Sequence, residues 1–116
     1  MIRTLVLIFA MLIPCHGHAH FKLARELAKA ALEYDRSEIS DPEVDWGEAR
    51  GFTGYVIGVY DTLGMLPFVA FCPPERAHGG EIFSAISKYL RDNPEQWTRP
   101  AAYVVREGLQ KSFPCR

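Results

Sequence analysis

Gly54-Tyr55-Val56-Ile57-Gly58-Val59-Tyr60-Asp61 lies at the centre of the run whose pattern decides the fold. Read outward, the pattern extends from Trp46 to about Thr62. Ala49, Phe52, Tyr55, Val56, Val59 and Leu63 recur at the spacing of one apolar helical stripe. Asp45 precedes that stripe as an N-cap, and Glu48 stands where a capping box would close. Gly47, Gly51, Gly54 and Gly58 fall along one side of the same helix. Each costs about 1 kcal/mol of helix propensity relative to alanine. The penalty makes sense if another helix packs backbone to backbone against the strip, so close helix contact is expected there.

Three further helical segments flank this one. Phe21 to Tyr34 carries Leu23, Leu27, Ala30, Ala31 and Tyr34 on one side. Lys22, Arg25, Glu26, Lys29 and Glu33 lie on the other, with Glu26 in reach of Lys22 and Lys29. Residues 35–45 form an acidic loop, with Asp35, Glu38, Asp41, Glu43 and Asp45 against Arg36 alone. Glu81 to Arg91 predicts a third helix with Ile82, Phe83, Ile86, Tyr89 and Leu90 inward. Asn93-Pro94-Glu95-Gln96 has the form of a helix start, with Asn93 as N-cap and Gln96 in a capping box. Pro100 cannot sit inside a regular helix. Either a short turn ends near Trp97 and a new helix begins around Arg99, or one helix kinks. Ala101, Val104, Val105, Leu109 and Phe113 carry the inward stripe onward. No credible pair of strands competes, so the expectation is all-α, a small four-helix bundle.

Between the second and third helices, Gly64 to Gly80 is a long connection broken by Pro67, Pro73 and Pro74. Connections of that length are usually functional or tied down. Leu66, Phe68, Val69 and Phe71 are too apolar for a free loop, so part of it should pack on the core.

The amino-terminal stretch reads as a secretory signal peptide. Arg3 gives a thin positive start, Thr4 to Ile13 is almost wholly apolar, and Gly17-His18-Ala19 suits cleavage after Ala19. The apolar run is about half of the roughly 20 residues a spanning helix needs. Residues 1–19 are therefore expected to be a removable leader, and residues 20–116 one domain in the periplasm, free of the membrane once cut. Cys15 follows Pro14, where a lipobox requires Gly, Ala or Ser, and cleavage would discard it. Cys72 and Cys115 are then the remaining cysteines. In an oxidising compartment such a pair normally closes into one bridge. That bridge would tie a tail prone to fraying to the middle of the fold.

Little in the chain suggests chemistry. The formal charge of −1 is too near neutral for nucleic acid, which demands a basic stripe. The alternating histidines of Cys15-His16-Gly17-His18-Ala19-His20 would suit zinc or copper, but the run sits at the cleavage site. His78 is the other histidine expected in the mature chain, and its setting is a loop. No Gly-x-Ser-x-Gly elbow occurs, nor a glycine loop that could cradle phosphate. Neither a metal, a cofactor nor an enzymatic activity is expected.

Several short motifs in order point to a family. Gly54-Tyr55-x-x-Gly58-Val59-x-Asp61 is followed by Cys72-Pro73-Pro74, then Lys88-Tyr89-Leu90 with Asn93-Pro94-Glu95, and finally Phe113-Pro114-Cys115. Together they resemble the Rap/Tai family of type VI secretion immunity proteins, over Ala49 to Cys115. The resemblance implies a small helical, disulfide-stapled periplasmic protein that binds a toxic effector, often a peptidoglycan amidase, and often forms homodimers. Many members are expected to carry cysteine where this chain has Phe52, which would make Phe52 a hydrophobic replacement in the core. Inhibition would be occlusion by a rigid loop. Two segments could serve: Glu75, Arg76 and His78 at a loop tip held by the bridge, preferred on that account, and the acidic Glu38–Trp46 stretch with Trp46 as aromatic anchor. The alternatives are a periplasmic acid-stress chaperone, or a small helical binding protein without a toxin partner.

Overall fold

The computed structural model describes residues 22–116. The leader, its cleavage after Ala19 and the Cys15–His20 motif lie outside the described residues. The element order is α1 (Ala24–Glu38), α2 (Trp46–Gly64), α3 (Gly79–Asp92), a 3-10 turn at Pro94–Gln96, and α4 (Ala101–Ser112). Among the described residues no strand forms, and Leu23 with Pro100 makes one isolated bridge. The chain is the all-α four-helix bundle the periodicity predicts, stapled by Cys72–Cys115.

The start of α1 is fixed by the segment before α4. The Ala24 and Arg25 amides donate to the carbonyls of Arg99 and Trp97, at 2.9 and 3.0 Å, and the Ala101 amide donates to Lys22 O at 2.9 Å. These bonds satisfy helix-end donors that would otherwise lack partners. They also pin the turn between the 3-10 helix and α4 to the start of α1. Glu26 turns back to accept from the Leu23 amide at 2.7 Å, so its carboxylate serves the backbone rather than Lys22 or Lys29. The helix outruns Tyr34 by about a turn. Arg36 links Glu33 and Asp41 at 2.8 and 2.9 Å, and the Ser37 hydroxyl donates to Tyr34 O. Arg36, and then the Glu43 amide, hold the Asp41 carboxyl below its usual range.

Asp45 caps α2 as expected, accepting from the Glu48 amide at 3.1 Å. The other half of the capping box is not made by Glu48. The Asp45 amide donates instead to Glu33 of α1 at 2.8 Å. Asn93 also differs from expectation. It precedes a 3-10 turn with Pro94 at the first position, as expected, but its side chain donates to Tyr89 O at the end of α3 instead of capping that turn. The Trp97 indole donates to Leu90 O at 2.8 Å, folding the chain back onto α3. Only a single 3-10 turn fits before Pro100, after which α4 begins.

The core runs through all four helices. Leu27, Phe52, Val56, Ile86, Leu90, Val104, Val105 and Leu109 are fully buried. Tyr34, Phe52 and Phe83 form an aromatic cluster with centroids 5.3–6.5 Å apart. Ser87 is a buried polar residue that the stripes did not reveal. Its hydroxyl donates to Asp35 at 2.8 Å, and Arg91 pairs with the same carboxylate at 2.8 Å, joining α1 to α3.

The glycine strip corrects the sequence reading. Gly51, Gly54 and Gly58 are exposed, and a Cβ added at any of them meets nothing within 4 Å. The stripe that buries Ala49, Phe52 and Val56 takes another side of α2, so the glycines lie outside the packed core. Close helix approach occurs elsewhere, at Gly108 of α4. A Cβ there would stand 2.9 Å from Ile86 Cδ1 and 3.0 Å from Tyr89 Cδ1. Opposite effects follow from one substitution type. Gly108→Ala lowers stability by about 1–3 kcal/mol through overpacking. Gly54→Ala or Gly58→Ala raises it by up to about 1 kcal/mol. Urea unfolding of the three variants checks this, and a loss of stability at Gly54 would show that its face is already covered.

Candidate functional site

The α2–α3 connection, residues 65–78, is the candidate binding element. Its first half, Met65 to Phe71, is apolar, and the two ends of that stretch fare differently. Phe71 stacks edge-on against Tyr60 of α2, centroids 5.2 Å apart. The Cys72 amide donates to Phe113 O at 2.7 Å, beside the bridge to Cys115, whose Cα–Cα span is 4.9 Å. Val69 is half-buried. This part packs on the core, as its composition predicts.

The first part does not. Met65 is 84% and Phe68 80% exposed, with Leu66 at the edge of exposure. Turn bonds from Leu66 N to Leu63 O and from Val69 N to Leu66 O shape this tip. A large aromatic and a methionine held in solvent, with a stacked ring and a disulfide a few residues on, form a stiff apolar projection. Sequence reasoning missed Met65 and Phe68 because apolar loop residues were assigned to the core. Pro67 between them was the available signal, since it keeps the tip from joining the end of α2.

Glu75, Arg76 and His78 are exposed on the far arm of the same connection, where the Ala77 amide donates to Pro74 O at 2.9 Å. These three residues and the apolar tip share one connection in the sequence. Trp46, 55% exposed, stands at the other end of α2. Nineteen helical residues separate the two ends, about 28 Å at the α-helical rise. Ala77 and Gly79, which flank His78, border Ile57, Tyr60 and Asp61, so this arm lies nearer the middle of α2 than its far end. Phe52, where the resemblance expects cysteine in many members, is fully buried, and Cys72 pairs with Cys115 regardless.

Among the described residues no group of three or more His, Cys, Asp or Glu could hold a metal ion. No described helix is long and apolar enough to cross a membrane. The described residues form a disulfide-braced helical bundle with an exposed apolar loop. The chain belongs to the family of Rap1a immunity proteins, whose model matches residues 24–115 and so takes in all four helices and both bridged cysteines. This is the family the ordered motifs pointed to, and its members are inhibitors rather than enzymes. No curated protein matches the chain.

Proposed function

We propose that the chain is exported to the periplasm, loses residues 1–19, and there binds and occludes a cognate type VI secretion effector through the α2–α3 connection. A peptidoglycan amidase is the effector class the resemblance favours. The exposed Met65–Phe68 tip on a connection clamped by Cys72–Cys115 supports this reading above all. A cleft-blocking segment needs apolar anchors that bury on contact and little freedom to lose on binding. Met65 and Phe68 supply the first, and the bridge with the Phe71–Tyr60 stack supplies the second. Glu75, Arg76 and His78 then form a polar rim beside the anchors.

The test uses periplasmic protein and the effector it retains. N-terminal sequencing should find a chain beginning at His20. Phe68→Ala should weaken effector binding by about thirtyfold or more, the effect of losing a central anchor. Glu75→Ala and Arg76→Ala should have smaller effects. Calorimetric titration measures all three, and full affinity in both Phe68→Ala and Met65→Ala would remove the connection from the interface.

A further inference from the structure

A second surface carries its own chemistry. A cleft of about 630 Å³ runs between α2 and α4, floored by Gly54 and Gly58, walled by Val59 and Leu63, and rimmed by Tyr103 and Arg106. The two glycines support no contact within the chain, yet their missing side chains let another segment approach the α2 backbone closely. Tyr103 is 51% exposed, and the Arg106 guanidinium rests over its ring at 5.4 Å. In that position Arg106 Nε is buried and has no hydrogen-bond acceptor. Buried donors rarely remain unpaired.

The charge on this cleft has one sign. Lys22 Nζ lies 6.0 Å from the centre of the Tyr55 ring, which also lines it. Burial pushes the Tyr55 phenol above its ordinary range, with the Ala102 amide opposing, so that ring stays neutral. No carboxylate lines the cleft. Tyrosine and arginine around an apolar floor are the residue types that dominate binding energy at protein interfaces.

We infer that this cleft receives an apolar segment of the effector bearing one carboxylate, which Arg106 takes side-on through Nε and Nη. Arg106 turns its edge from Tyr103 toward the incoming group, and the orphaned Nε–H gains its acceptor. A second copy of this chain is the poorer occupant. Pairing the face with itself brings two guanidinium groups together and supplies no carboxylate from the lining. The inference rests on the immunity reading for the identity of the partner, and on the cleft alone for its chemistry.

Two measurements separate those dependencies. In the first, isotope-labelled chain recovered from the periplasm is titrated with hexanoate, hexanol and hexylammonium at fixed ionic strength, and the Arg106 Nε–H resonance is followed by NMR. Hexanoate should move it saturably and the other two should not. In Arg106→Lys, which keeps the charge but loses the planar edge, hexanoate should no longer shift the Ala102 and Tyr103 backbone amides that it moves in the parent chain. An absent response, or an equal one to hexylammonium, overturns the inference whether or not an effector is known. In the second, Arg106→Gln should weaken binding of the purified effector about tenfold without changing the thermal melt. Unchanged affinity overturns the inference. So does sedimentation showing that Arg106→Gln converts a dimer to a monomer, since the cleft would then belong to a second copy.

Discussion

Phe52→Ala lowers the stability of the bundle by about 3–5 kcal/mol, the range for removing a buried aromatic from a packed core. Phe52 has no solvent exposure and touches two other rings, Tyr34 of α1 and Phe83 of α3. One side chain on α2 therefore joins three helices, and truncation leaves a cavity that none of them can fill without moving the other two. Total stability for a domain of this size is commonly about 5–15 kcal/mol, so the loss is a large share of it. Urea unfolding with a fixed slope measures the change. A loss under about 1 kcal/mol would mean that the cluster collapses around the gap. Phe52→Cys is the milder probe, and it asks whether a thiol at this depth disturbs the Cys72–Cys115 pairing.

Replacing Cys72 and Cys115 together by serine removes about 4 kcal/mol by chain-entropy arithmetic for a bridge spanning 43 residues. The crosslink acts mainly on the unfolded chain, so the native helices should keep their circular dichroism while the unfolding midpoint falls. The bridge also has a local role. It joins a connection outside any helix to a tail beyond the end of α4, where Phe113 accepts from the Cys72 amide. Without it, the Met65–His78 segment samples more conformations, and effector affinity should fall even where the bundle is fully folded. Equal urea midpoints for the oxidised and reduced chains would refute the stabilising role. Equal effector affinity would refute the local one.

The helices were legible because their apolar residues keep a 3.6-residue period without interruption. Leu27, Phe52, Ile86 and Leu109 all fall on predicted stripes, and all are fully buried. The bridge was legible because two cysteines remain after the leader. Errors gathered where periodicity is silent. Glycine on a helix signals low side-chain bulk but not which neighbour comes close, so the exposed strip was read as the contact and Gly108 was overlooked. Asn93 and the Asp45 amide could each bond to more than one partner: Asn93 took the Tyr89 carbonyl one turn back in α3, and the Asp45 amide took a tertiary one, the Glu33 carboxylate. The proposed binding surface was legible only as a segment. Composition marked residues 64–80 as special, but whether Phe68 faced the core or solvent depends on a backbone path that local pattern does not encode.

The stitching between Lys22–Arg25 and Trp97–Ala101 bears on how the chain is born. Glu26 serves the Leu23 amide locally, but the Ala24 and Arg25 amides find their acceptors just ahead of the last helix, which an emerging amino-terminal half does not yet possess. Closure waits for the far end of the polypeptide. The seam between the first and last helices therefore forms only after residues 97–101 have been made.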